Sequence, residues 1–223
     1  MGRMGGSRQV AGGGREVRVA PERLGRWRDG FAERHGVTSV LEDVTGFGAV
    51  VLVGADRATA TVEVPFPPAA APGWEGLLAH ALAPRRLGLL LVRLGGFAVG
   101  VADGESLLAA KTGSRQVHGR AAAGGWSQHR FARRREGQVR VALAAAADVT
   151  AAVVLPHVAG LAGLVTGGDR GAVATVLGDR RLAPLRALVM PNLLEVGEPR
   201  RADLEAAPGL ARRVRVVVRD PVS

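Results

Sequence analysis

The stretch His118 to Gln138, HGRAAAGGWSQHRFARRREGQ, concentrates most of what this chain offers for chemistry. Gly124 and Gly125 leave two consecutive positions without side chains, so a loop tip built on them can adopt positive φ and bring its backbone close to a partner. Ser127 follows as a candidate helix N-cap, and then Arg130, Arg133, Arg134 and Arg135. Positions 130, 133 and 134 fall close together on a helix surface, where like charges repel unless an anion lies between them. A phosphate backbone supplies that anion, and the planar guanidinium fork binds it in bidentate fashion. Arg115 and Arg120 stand just upstream, and between Lys111 and Arg140 the chain holds eight basic residues against one acid, Glu136. Trp126 is suited to stacking on a base, and equally to packing on its own domain. The combination describes a thin backbone probe on a stem that grips RNA. A flexible connector accounts for the glycines alone, and a solvated helix face for the arginines alone.

Other chemistries find less support. The chain has no cysteine, which excludes disulfides, thiol catalysis and cysteine-held metal. Ser127 and His129 lie two residues apart and do not face each other on a helix, and Gly125-Trp126-Ser127-Gln128-His129 lacks the final glycine of a nucleophile elbow. The five histidines, at 35, 80, 118, 129 and 157, show no zinc-ligand spacing. His118 and His129 are able to contact phosphate when protonated. TGGDRG at 166–171 sits between a strand and a helix without a Walker lysine, so a tight turn with Asp169 as cap is expected there. A two-metal nuclease needs clustered carboxylates, whereas Asp103, Asp148, Asp169 and Asp179 are scattered along the sequence. No metal and no cofactor is expected.

The formal net charge is +10, and Lys111 is the only lysine, so the positive charge is almost all guanidinium. A basic chain points to nucleic acid or an anionic surface. A GC-rich genome produces the same excess of arginine and alanine, so the distribution of the charge says more than its total. The N-terminal MGRMGGSRQVAGGGREV lacks the apolar core of a signal peptide. LGLLLVRLGGFAVGVADG is interrupted by Arg93 and Asp103 before it could span a bilayer. No membrane segment is expected, and a cytoplasmic location follows as the default.

The elements that must position the basic segment follow from periodicity and punctuation. Residues 1–15, rich in Gly and Arg, read as a tail without structure. Leu24, Trp27 and Phe31 recur at helical spacing between Pro21 and Gly36. GAVVLVGADRATATVEV alternates about Gly54 to Arg57 as a hairpin does. The proline-rich PFPPAAAPGW marks a boundary, and a short helix is expected from Trp74 to Leu82. LGLLLVRLGGFAVGVADGESLLAAKTGSRQVHGR reads as an antiparallel meander, with Asp103-Gly104 as one turn and Thr112-Gly113 as a candidate second. From Ser127 the pattern is helical, with Phe131, Gln138, Val139, Ala142, Leu143 and Ala146 on one face. Gly137 weakens the helix, and VRVAL by itself suits a strand. TAAVVLP and GLAGLVT read as buried strands, DRGAVATVL as a helix, LRALVMPNLLEV as a strand region, RADLEAA as a short helix and RRVRVVVRD as a terminal strand. Alternating strands and helices predict an α/β fold, a mixed sheet flanked by helices, with a small N-terminal α+β part. The expected division is a tail over 1–15, the small part over 16–72 and the larger domain over 73–223.

HGRAAAGGWSQHRFARRRE resembles the segment around the Gly-Gly-Gln loop in the middle domain of eukaryotic and archaeal peptide-chain release factors, where Gly-Gly-Gln-Ser precedes an Arg-Phe-Ala-Arg helix. The resemblance spans about residues 87–198 and includes VADGESLLAAKTG upstream and VAGLAGLVTGGDRGAVATVL downstream. Without codon-reading domains, the chain is most similar to the actinobacterial peptidyl-tRNA hydrolases related to ribosome-rescue release factors. The resemblance implies a mixed sheet flanked by helices and hydrolysis of the ester joining a nascent peptide to tRNA. Its implied partners are the large ribosomal subunit, ribosomal RNA and peptidyl-tRNA, with Arg115, Arg120, Trp126, Arg130, Arg133 and Arg134 on the RNA. Gly124 and Gly125 match the family's glycines, but Trp126 stands where its glutamine belongs. Rescue-type relatives carry variant loops with a displaced glutamine, so the resemblance carries the catalytic role to Gln128. A non-catalytic RNA-binding factor and a nuclease acting on the tRNA 3′ end are the alternatives.

Overall fold

A computed structural model describes residues 8–11, 13–36, 39–41, 48–114 and 127–221, of which 40, 41 and 127–135 are described through their backbone alone. In chain order the elements are β1 (Arg8–Gln9), β2 (Arg15–Val19), α1 (Leu24–His35), β3 (Ser39–Leu41), β4 (Ala49–Val53), β5 (Thr59–Glu63), α2 (Gly73–Leu82), β6 (Arg86–Arg93), β7 (Gly96–Asp103), β8 (Ser106–Ser114) and α3 (Ser127–Val154). They continue with β9 (Gly163–Gly168), α4 (Arg170–Leu177), α5 (Ala183–Arg186), β10 (Val189–Leu194), α6 (Arg201–Ala211) and β11 (Val214–Arg219). The fold is α/β, with mixed strands and flanking helices, and its chain forms two compact units: Met1–Ala83 with Arg212–Ser223, and Pro84–Ala211.

In the first unit the sheet order is β1-β2-β11-β5-β4-β3. The alternation expected of a half-covered antiparallel sheet is visible in β4 and β5, whose Val50, Leu52, Ala60 and Val62 are buried with Leu24 and Phe31 of α1 and Trp74, Leu77 and Ala81 of α2. Arg28 lies over the Trp74 ring, 5.0 Å from its centroid. Two features differ from the sequence reading. Arg8 and Gln9 pair with Glu16 and Arg15, so the expected tail ends in a short hairpin. The C-terminal strand does not stay with the larger domain: Val216 of β11 pairs with Val17 and with Val62, inserting β11 between β2 and β5. Register pairing of this kind joins residues two hundred positions apart, which local pattern does not encode.

The second unit carries a five-stranded sheet in the order β10-β9-β6-β7-β8. β6, β7 and β8 form the antiparallel meander, while β9 runs parallel to β6 and β10 parallel to β9. Leu87 to Val92 are buried without alternation, as expected of a strand covered on both faces. On one face Leu90, Val92, Val99 and Val101 join Leu143, Ala146, Val173, Val176 and Leu185 from the helices. On the other, Leu204 of α6 lies beside Gly100, where an added Cβ would be 3.6 Å from Leu204 Cδ1. Full burial of each leucine is worth about 1.5–3 kcal/mol.

Three local expectations are corrected. TAAVV belongs to α3, with Thr150 and Val154 fully buried on the face begun by Leu143 and Ala146; the alanine run propagates the helix, and its apolar stripe overrides the β-branched residues. LP of the same stretch lies in a 3₁₀ turn, Leu155–Gly160. Thr112-Gly113 is no turn but part of β8, and the second hairpin turn falls at Leu94-Gly95 instead. The hairpin signalled by Asp103-Gly104 is present, with Gly104 and Glu105 as its turn residues and Gly104 at φ +60. Glu136–Gly160 is long and apolar enough, by length and composition, to cross a bilayer. Its inward face packs on the sheet through Leu143, Ala146, Ala147, Thr150 and Val154.

Candidate nucleic-acid interface

Arg115, Arg120, Gly124, Gly125 and Trp126, with His118, lie outside the described residues. The structure does describe both elements that carry them. β8 ends at Ser114 and α3 begins at Ser127, so Gln128, Arg130, Arg133 and Arg134 occupy its first two turns. The helix predicted from Ser127 is thus present along its whole backbone.

The end of the sheet from which residue 115 departs follows from register. Ser114 pairs with Gly96, Gly96 with Arg93, and Val92 with Gly168. An added Cβ at Gly88, near the start of β6, would lie 3.0 Å from Val154. The C-terminal end of α3 therefore sits at the start of β6, and its N-terminal end points toward the Ser114 end. With 28 residues, α3 is about 42 Å long, whereas the eight residues of β7 span only about 27 Å. Among the residues of α3 whose side chains are described, 136–154, inward packing begins at Val139, and Ala146 and Thr150 are fully buried. Outside 111–140 this unit carries nine arginines and nine acidic residues, so its entire net positive charge lies between Lys111 and Arg140, in the end of β8, the connection and the first turns of α3.

Several arginines elsewhere in the unit are held by partners. Arg86 meets Asp103 at 2.5 Å, and Arg201 meets Glu205 at 3.0 Å. Arg186 donates to the carbonyls of Leu177, Gly178 and Asp179, closing the C-terminus of α4. Asp148 and Asp179 do converge, but on the guanidinium of Arg181, at 2.7 and 2.6 Å, rather than on a metal. The hydrogen bond from Arg181 holds the Asp179 carboxyl well below its ordinary value, at about 2. A depressed folded-state value stabilises above the unfolded value of 3.8, and that contribution fades as pH falls through about 2. Arg181→Ala is expected to return the Asp179 titration toward 3.8, read from its carboxyl carbon by NMR.

TGGDRG forms the expected turn. Asp169 Oδ1 accepts from the Ala172 N–H at 2.7 Å, and the Asp169 N–H donates to Val92 O at 2.8 Å. A carboxylate already caps α4, which disfavours an anion there. Among the described residues no group of three or more His, Asp or Glu is placed to hold a metal ion. His35 Nδ1 is 2.9 Å from Asp56 Oδ2, and His80 Nε2 is 2.9 Å from Phe66 O. Both imidazoles tie elements of the first unit together. Asp179 and Arg181 are neighbours two residues apart, but the contact of Asp148 with Arg181 is not legible in sequence, because it forms only where α3 packs beside the 3₁₀ turn Arg180–Leu182 that follows α4.

The family described as Actinobacteria/chloroflexi VLRF1 release factor matches residues 85–217. No curated protein matches the chain. Among solved structures, the crystal structure of the archaeal translation termination factor aRF1 is similar, at 15% identity and a TM-score of 0.43, over 71% of this chain and 46% of that one. The chain therefore spans less than half the length of that factor.

Proposed function

Because the chain belongs to the Actinobacteria/chloroflexi VLRF1 release factor family, and hence among the release factors of translation, we propose that it frees nascent peptides from stalled large ribosomal subunits by hydrolysing peptidyl-tRNA. Water attacks the ester carbonyl carbon, the bond from that carbon to the tRNA 3′ oxygen breaks, and a proton ends on the 3′ hydroxyl. Gln128 orients the water. A carboxamide is a poor base, so its part is positional, while a backbone N–H of the Gly124-Gly125 tip stabilises the developing oxyanion. The substrate and ribosomal RNA complete the site, which explains how a loop without acid, metal or nucleophile still supports the reaction. Trp126 stacks on RNA, and Arg115, Arg120, Arg130, Arg133 and Arg134 hold phosphates.

The observation that supports this reading best is the charge: outside 111–140 the second unit's nine arginines balance nine acidic residues, so its whole net positive charge lies in the end of β8, the connection and the first turns of α3. Large subunits bearing peptidyl-tRNA, incubated with wild type, Gln128→Ala and Gly125→Ala, test it through both peptide release and tRNA length. Release lost in the variants supports hydrolysis. Binding without release supports an RNA platform, and shortened tRNA a nuclease. Arg133→Ala is expected to weaken RNA binding and to reduce the slope of log K against log salt by about 0.7–0.9, one phosphate's share. An unchanged slope removes Arg133 from the phosphate contacts.

A further inference from the structure

β8 is the outer strand of its sheet and, among the described residues, its backbone pairing is with β7 alone. Its last pairs are Phe97 with Gly113 and Gly96 with Ser114. The Phe97 ring, 8% exposed and part of the helix-side core, lies directly over Gly113. An added Cβ at Gly113 would stand 2.5 Å from Phe97 Cζ and 2.7 Å from Cε1. On the opposite face, an added Cβ at Gly96 would stand 2.8 Å from Glu198 Oε1 and 3.1 Å from Gly113 O. At the last register pairs of β8, Gly113 is thus covered on one face by the Phe97 ring, while Thr112 and Ser114 beside it are exposed.

We propose that Phe97 is a positioning residue for the reaction: by covering Gly113 it fixes the root from which the β8–α3 connection departs. The inference rests on the reading above, that this connection is the reactive part of the chain. A ring held in the core yields less readily than the end of an edge strand. A side chain at 113 therefore displaces the strand end and with it the connection. Misplacement by about 1 Å is enough to cost on the order of 10²-fold in rate.

Gly113→Ala tests the proposal, with Gly88→Ala as its control. Gly88 is also closely packed, its added Cβ lying 2.9 Å from Leu164 Cδ1, but it stands at the other end of the sheet. Two readouts are needed: kcat and KM for peptide release, and acrylamide quenching of Trp126, isolated by subtracting the Trp126→Phe signal. Trp126 is the one tryptophan of the second unit, so this signal reports on the connection itself. Gly113→Ala is expected to change the quenching and to lower kcat by about 10–100-fold with KM little altered. Adding Phe97→Leu to Gly113→Ala makes room for the new methyl group and is expected to recover most of the loss. Gly88→Ala is expected to move neither readout. Unchanged Trp126 quenching in Gly113→Ala, an equal change in Gly88→Ala, or no recovery in the double variant would each overturn the proposal. A wild type without release activity would instead overturn the functional reading, and the quenching comparison would still decide the role of Phe97.

Discussion

Gln128→Ala is expected to lower the single-turnover rate of peptide release by about 10²–10³-fold, the range for losing one pre-organised polar group at a reacting centre. Binding to the large subunit should hold, because the arginines of α3 remain and phosphate contacts dominate affinity. The defect then appears in kcat with KM near wild type, the signature of an interaction made in the transition state. Gly125→Ala is expected to act in the same direction by adding a side chain where the backbone must approach its partner. If Gln128→Ala releases peptide at the wild-type rate while Gly125→Ala does not, the carboxamide has no part in the chemistry and the backbone of the loop carries it. If both variants match wild type, the chain is a binding factor that retained the basic stem.

The largest expected effect on stability belongs to Gly168→Ala, at about 3–5 kcal/mol, above the usual range for point substitutions. Gly168 has φ +94, a conformation that strains any residue with a Cβ. It also abuts the neighbouring strand, with an added Cβ 2.2 Å from Val92 O and 3.0 Å from Val92 C. Backbone, unlike a flexible side chain, does not swing away. Relief requires β6 and β9 to separate where they are hydrogen-bonded and disrupts the Asp169 N–H bond to Val92 O. Gly197→Ala is the control, since nothing lies within 4 Å of its added Cβ, and a change within about 0.5 kcal/mol is expected there. Urea titration of both variants checks the difference. A Gly168→Ala loss below about 1 kcal/mol would mean that the turn is less constrained than its contacts imply.

Gly168 also shows where sequence reading stops. TGGDRG between an apolar run and a helical pattern identifies a turn capped by Asp169, and the structure contains that cap. Which of the two glycines must remain side-chain-free follows only from the approach of β6, a strand some seventy-five residues earlier. Gly113 is a similar case: Thr112-Gly113 looks like a turn in one dimension, but in the sheet the glycine makes room for Phe97 across the strand pair. TAAVV reads as a strand by composition, yet it continues the buried face of a helix that the sheet had already selected.

By itself the sequence determined the local chemistry of this protein. Arginine spacing, paired glycines and the change from alternating to helical periodicity are all short-range, and they suffice to mark the basic connection between a meander and a long helix. Tertiary structure decided what depends on distant partners. It placed β11 between β2 and β5, brought Asp148 onto Arg181, and carried α3 through TAAVV to Val154. The physical reason is that propensity and charge act over a few residues, whereas strand register, steric fit around a glycine and ion-pair convergence depend on which remote segments share the core.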